Sequence, residues 1–248
     1  MNTLDAKISD YWSKRSGSYS DAVNNTLSKN NEKEVWEKLI YSQICSDKKL
    51  KILDIGTGPG MFVVLLGANP HFEITATDSS PGMLTEAKKN AEANHIVADF
   101  IECDAHELPY EDETFDVIIS RNVTWNLPYP EKAYKEWKRV LKKGGKILTF
   151  DANWYLRLYD TDLQKKYEQV KKYEDHEKVP QDMRNKMEEM AKSLPLSKEH
   201  RPSWDVKILG ELGFQEIFLN TNINHLIYDQ IEMQIYSVTP MFMISAKK

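Results

Sequence analysis

The stretch Lys51-Ile52-Leu53-Asp54-Ile55-Gly56-Thr57-Gly58-Pro59-Gly60 constrains this chain more than any other. Ile52 to Ile55 is a short apolar run, interrupted only by Asp54, of the length of a buried strand. Three glycines then alternate, and a turn without Cβ atoms lets the backbone approach a ligand closely. Met61 to Leu66 is apolar again and reads as a helix. A strand running through such a turn into a helix is the layout of a nucleotide site, yet two common versions are excluded. A dinucleotide fingerprint, G-x-G-x-x-G, needs its third glycine where Met61 stands, which disfavours an NAD-dependent oxidoreductase. A phosphate loop needs Gly-Lys-Ser/Thr, which is absent.

The rest of the chain alternates strand and helix. Glu73 to Thr77 reads as a second strand ending at Asp78, and Pro81 opens a helix running to about Asn94, with Met83, Leu84 and Ala87 inward. Phe100 to Cys103, ending at Asp104, is a third strand and Phe115 to Ser120 a fourth. A helix over Glu131 to Leu141 is stopped by Gly144-Gly145, and Lys146 to Asp151 is a fifth strand. This rhythm implies a parallel sheet with helices on both faces. Right-handed crossovers place the strand C-termini on one edge, where ligands bind. Asp54, Asp78, Asp104, Asn122 and Asp151 all fall at or just after those ends.

Upstream, residues 3–12 suit a short helix followed by a polar stretch from Ser13 to Tyr19, and residues 31–45 suit a helix with Val35, Trp36, Leu39, Ile40 and Ile44 on one face. Residues 153–203 contain no glycine and break the rhythm. Leu163, Tyr167 and Val170, then Met183, Met187 and Met190, stand at helical spacing. We expect two or three amphipathic helices inserted after the fifth strand, forming a lid over the ligand-binding edge. Ser203 to Leu212 is a further helix, and Phe214 to Leu219 and Met241 to Ser245 are two closing strands.

Composition narrows the function classes. The chain has 248 residues and a net charge of −5, against the basic face of a general nucleic-acid binder. Two cysteines, Cys45 and Cys103, make no disulfide framework and suggest a reducing compartment. The start has no signal-peptide pattern, and no apolar run approaches the ~18 residues of a membrane span. A cytoplasmic location without membrane or nucleic-acid partners is expected. The oligomeric state is open.

The pattern Asp-x-Gly-x-Gly-x-Gly at 54–60 resembles motif I of class I S-adenosylmethionine (SAM)-dependent methyltransferases. Two further blocks extend the resemblance over roughly residues 50–151. Asp104-Ala105-His106-Glu107-Leu108-Pro109-Tyr110, followed by Thr114-Phe115-Asp116-Val117-Ile118, is similar to the acidic loop and fourth strand of the ubiquinone/menaquinone-biosynthesis type. Glu136 to Lys146 resembles that group's helix, turn and fifth strand. Tyr11-Trp12-x-x-Arg15-x-x-x-Tyr19 resembles its cofactor-covering segment.

The resemblance implies an α/β fold: a Rossmann-like three-layer sandwich with a seven-stranded, mostly parallel sheet, an antiparallel last strand and a helical insertion. It implies SAM as cofactor and S-adenosylhomocysteine (SAH) as product. Cofactor-binding residues are expected at Asp54, Gly56, Thr57, Gly58 and Gly60 in the turn. Asp78 would take the ribose hydroxyls, with Ser79 and Met83 beside the adenine, and Asp104 and Ala105 would take the adenine edge. Arg121 and Asn122, after the fourth strand, are also expected to bind the cofactor, and Tyr11, Arg15 and Tyr19 would close over it, with Arg15 meeting a carboxylate. The expected organisation is a cover over 1–46, a SAM-binding core over 47–152, a lid over 153–203 and a sheet-completing part over 204–248.

SAM carries a sulfonium, so its methyl carbon is already electrophilic. An enzyme must align a nucleophile and exclude water. A base is needed only if the nucleophile keeps its proton. The candidates are His106, Asp151 and Tyr155, and Trp12, Trp125, Asn126, Trp154 and Tyr155 are the candidate substrate residues. No metal is expected. Catechol-type enzymes hold one with acids after the fourth and fifth strands, and here Arg121-Asn122 replaces the first. Asn126-Leu127-Pro128-Tyr129 differs from the Asn/Asp-Pro-Pro-Tyr of enzymes that methylate amino groups of bases or a Gln amide, in one residue and in starting late. The expected function is methyl transfer to a small molecule, the acceptor atom open. The alternatives are a protein acceptor or a non-catalytic SAM-binding subunit.

Overall fold

The computed structural model describes residues 3–44, 48–170 and 179–248. Cys45 lies outside the described residues, and Cys103 is a free thiol. Strands β1 (Leu50–Ile55), β2 (Phe72–Asp78), β3 (Asp99–Glu102), β4 (Phe115–Arg121), β5 (Leu141–Asp151), β6 (Gln215–Asn220) and β7 (Phe242–Lys247) form one sheet in the order β3-β2-β1-β4-β5-β7-β6. β7 runs antiparallel to β5 and β6, and the pairings among β1 to β5 are parallel. This is the expected Rossmann-like sheet with an antiparallel last strand.

Strand side chains alternate between faces. Ile52, Val117, Ile119, Leu148 and Phe150 enter one core with Trp36, Ile40 and Phe62, whereas Leu53, Ile55, Ile118 and Ile147 enter the other with Tyr134, Trp137 and Leu209. Cover on both faces is why these strands read as continuous apolar runs rather than alternating ones. The covering helices include α2 (Asn30–Ile44), α3 (Met61–Leu66), α4 (Pro81–Ala93), α5 (Pro130–Val140) and α8 (Ser203–Glu211).

Three local expectations are corrected. The polar stretch 13–19 is not a break: α1 is one helix, Thr3–Ser28. Its serines dock on α4, where Ser13 Oγ lies 2.8 Å from Ser80 Oγ and Ser9 Oγ donates to the Ser79 carbonyl at 2.7 Å. Gly82 permits the approach, since a Cβ there would stand 2.8 Å from both Cα and O of Ser13. Asn90 donates to Ser20 Oγ at 3.0 Å and to the Pro59 carbonyl at 2.8 Å, tying α1, α4 and the glycine turn together. Second, β5 begins at Leu141, and its Gly144-Gly145 makes an irregularity in the ladder with β4 instead of a preceding turn. Third, residues 221–241 hold α9 (Asn224–Ile227) and α10 (Gln230–Ile235), which the sequence reading did not place.

The insertion after β5 contains α6 (Thr161–Val170) and α7 (Gln181–Ala191). The methionine stripe of α7 packs on α1, with Met187 buried beside Ile8, Tyr11 and Trp125, and Met183 and Met190 against the same cluster. Both ends of the insertion meet. Asn153 Nδ2 donates to the Arg201 carbonyl at 2.7 Å, and the Arg201 N–H donates to Asn153 Oδ1 at 3.0 Å. No described helix is long and apolar enough to cross a membrane.

Candidate cofactor and substrate site

All three turn glycines are left-handed: Gly56 at φ 63°, Gly58 at 55° and Gly60 at 85°. Other residues rarely adopt that conformation, and a Cβ on Gly56 would also lie 2.5 Å from Val123 Cγ2. Asp54 is 1% exposed and accepts from Thr57 Oγ1 at 2.6 Å, while the Thr57 N–H donates to the Thr77 carbonyl at 2.8 Å. Burial raises the Asp54 carboxyl to about 7, opposed by the Thr57 bond and reinforced by the nearby charge of Asp78. Asp54, Thr57 and Gly60 therefore shape the turn from behind and do not line the cavity in front of it. Asp78 does line it. Its Oδ2 accepts from Gly58 N–H and its Oδ1 from Ser80 N–H, each at 2.9 Å. Burial raises its carboxyl to about 6 against those bonds.

The cavity measures about 450 Å³ over the C-terminal edge of the sheet. It brings together Gly56, Gly58, Asp78, Ser79, Met83, Asp104, Ala105 and His106 with Arg121, Asn122, Trp125 and Asn126. From α1 come Tyr11, Trp12, Arg15 and Tyr19, and from the insertion's start Trp154 and Tyr155. Arg15 is only 7% exposed, with its Nε donating to Ser18 Oγ at 3.2 Å.

The three candidate bases separate. His106 Nδ1 lies 2.6 Å from Asp104 Oδ1, a contact that holds the Asp104 carboxyl below its usual range. His106 Nε2 is buried, without a hydrogen-bond partner among the described residues. Both residues follow β3, and the loop they begin folds back towards the β4 side, where the His106 ring lies 5.8 Å from that of Tyr129 and the Ala105 carbonyl accepts from Trp137 Nε1 at 2.9 Å. Tyr155 lines the cavity, but burial pushes its phenol well up, making it a proton donor and a poor base.

Asp151 is corrected outright: it is 1% exposed, lies outside the cavity lining, and is saturated. It accepts from Thr124 Oγ1 at 2.6 Å, Trp125 N–H at 3.1 Å, Ala152 N–H at 2.8 Å and Trp154 Nε1 at 3.1 Å, and Arg201 Nη1 lies 2.9 Å away. Arg201 also pairs with Asp205, which accepts from Tyr134 Oη at 2.8 Å. This buried network closes the stem of the insertion.

Sequence reasoning missed several lining residues. Tyr228, Tyr236 and Thr239 reach the cavity from the β6–β7 connection, and Arg157, Met187 and Glu188 from the insertion. The capping box Asp229-Gln230-Ile231-Glu232 was a readable sign of α10. Nothing local signalled that the connection bends over the cavity.

Residues 53–149 match the methyltransferase domain family. The matched stretch takes in the glycine turn, Asp78 and Asp104. The curated proteins it resembles include enzymes of ubiquinone and menaquinone biosynthesis. The C-methyltransferase UbiE of Bartonella tribocorum is 33% identical over 119 residues, 44% of this chain and 46% of that protein. The chain spans about half the length of the curated relatives it matches.

Two solved structures share the fold over more of the chain. A SAM-dependent methyltransferase from Aquifex aeolicus superposes with TM-score 0.58 at 16% identity, covering 92% of this chain and 97% of that one. Phosphoethanolamine N-methyltransferase 2 of Haemonchus contortus, bound to phosphomonomethylethanolamine and SAH, superposes with TM-score 0.59 at 14% identity, covering 85% and 51%. At such identities the likeness is one of fold.

Proposed function

We propose that this chain binds SAM and transfers its methyl group to a small molecule. One observation carries the reading: the glycine turn, Asp78 and Asp104, at the ends of β1, β2 and β3, face a single cavity roofed by α1 and the insertion. Bound SAM supplies an electrophilic methyl on a sulfonium. The residues present suit it. Gly56 and Gly58 bring bare backbone to the cavity. Asp78 has lone pairs beyond its two backbone bonds for ribose hydroxyls, and Asp104 offers its Oδ2 to an adenine amino group. Ser79, Met83 and Ala105 wall that end, and the guanidinium of Arg15 suits a carboxylate.

His106 is paired with Asp104 through Nδ1, which fixes its ring in the cavity wall with Nε2 unpartnered among the described residues. In this reading 47–152 binds the cofactor, 1–46 and 153–203 cover it, and 204–248 completes the sheet. The expected reaction needs no divalent ion. The test is calorimetric titration of the protein with SAH, with mass spectrometry of what co-purifies. Binding in the micromolar range is expected, and a protein that takes up neither SAM nor SAH refutes the reading.

A further inference from the structure

We infer that the methyl acceptor is an amine, an inference that rests on the SAM reading above. With the nucleoside placed over β1 to β3, the acceptor falls beyond β4, among Asn122, Asn126, Trp125, Trp154 and Tyr236. Asn122 Oδ1 and Asn126 Oδ1 are both buried there without a hydrogen-bond partner among the described residues. An unpaired buried carbonyl is costly, and both atoms accept, so the missing partner is a donor.

The walls are aromatic faces. Trp125 lies 5.3 Å from Tyr155 and Trp154 meets Tyr236 edge-on at 6.1 Å, centroid to centroid. Arg157 already sits 5.5 Å from the Tyr155 ring, its charge met by Glu188 at 2.6 Å. Both indoles line the cavity, and aromatic rings attract cations. Donors together with positive charge describe an ammonium.

The proton inventory agrees. Among the described residues the carboxylates at this end of the cavity are engaged. Asp151 is saturated, Glu188 is paired with Arg157, Glu168 accepts from Gln164 Nε2 at 2.8 Å, and His106 is tied through Nδ1 to Asp104 at 2.6 Å. An alkylammonium first gives its proton to water, after which the neutral amine is nucleophilic without a protein base, whereas a hydroxyl or carbon acid needs one in the site. The amine lone pair forms the N–C bond while the C–S bond of the sulfonium breaks and its electrons stay on sulfur. The products are SAH and an N-methylammonium, whose proton leaves to water afterwards. Aromatic faces and carbonyl oxygens stabilise the charge that develops on nitrogen.

The experiment uses the SAH-loaded full chain and two isosteric probes, choline and 3,3-dimethylbutan-1-ol, with binding followed by tryptophan fluorescence. Choline is expected to bind at least about tenfold tighter, the effect of a desolvated cation–aromatic contact. Equal binding, or preference for the neutral probe, overturns the inference. A second measurement follows labelled methyl from SAM into matched alkylamines, phenols and thiols. The amines are expected to react, with a pH profile set by their own ionisation. Asn126→Leu is expected to raise the amine KM about tenfold, the effect of losing a hydrogen bond to a charged group. Methyl recovered on oxygen, sulfur or carbon, with no amine turned over, overturns it. Failure of SAH to bind the wild-type protein instead strikes the cofactor reading, so the two failures are distinct.

Discussion

Asp78 offers the sharpest quantitative test, because one carboxylate does two jobs. It accepts the Gly58 and Ser80 N–H groups at 2.9 Å each, fixing the turn, and is proposed to accept ribose hydroxyls in the same ionised form. Asp78→Asn keeps one oxygen but sets an NH2 donor against a backbone N–H and removes the charge. Losing a hydrogen bond to a charged group costs about 1.5–3 kcal/mol, so the SAH Kd is expected to rise about 10- to 150-fold.

The wild type adds a pH signature. Burial raises the Asp78 carboxyl to about 6. Its contribution to folding is therefore fully present below the unfolded value near 3.8 and lost as pH rises towards 6. Cofactor binding runs the other way, since it needs the carboxylate. At pH 5 only about a tenth of Asp78 is ionised, so the Kd is expected to be about tenfold weaker than its plateau above pH 7, equivalent to about 1.4 kcal/mol. Calorimetry from pH 5 to 7.5 on wild type and Asp78→Asn decides the matter. A flat wild-type profile, or the same slope in the variant, refutes this role for Asp78.

Further outcomes follow from packing. Gly82→Val drives a side chain into the α1 backbone, where overpacking costs about 1–3 kcal/mol. A melting point lowered by several degrees and a weakened SAH affinity are expected, and unchanged affinity would show that α1 is not part of the site. Arg201→Met strands Asp151 and Asp205 as buried charges, and denaturant titration should show a loss of about 3–5 kcal/mol. Hydrogen exchange in α7 and in 221–241 should slow when SAH binds, and identical protection with and without it would reduce these segments to packing.

What could be read from the sequence follows from the range of the interactions involved. The 54–60 turn, Asp78 and Asp104 were legible because strand, glycines and terminal acids sit together in sequence, and the apolar runs of β1, β4 and β5 report their two-sided burial. The continuity of α1 was not legible. Ser13 to Gly17 reads as a break until Gly82, remote in sequence, turns those small residues into a docking face. Asp151 was read as a candidate base because it ends a strand, yet its role is decided by Arg201 at the far end of the insertion. The aromatic wall from Tyr228 and Tyr236 depends on the path of a connection between two strands, which no local pattern encodes.

The reciprocal pair of Asn153 and Arg201 gives the insertion a closed neck. A segment whose two ends already touch can be lengthened, shortened or replaced at small entropic cost, about 0.6 kcal/mol for each doubling of its length. The sheet beneath registers none of that change, because β5 has ended at Asp151 and α8 starts at Ser203. The neck thus uncouples the insertion from the sheet. What precedes it is bound to the sheet, while the insertion can be exchanged as a cassette. The match to the methyltransferase domain family likewise stops at residue 149, just short of the neck.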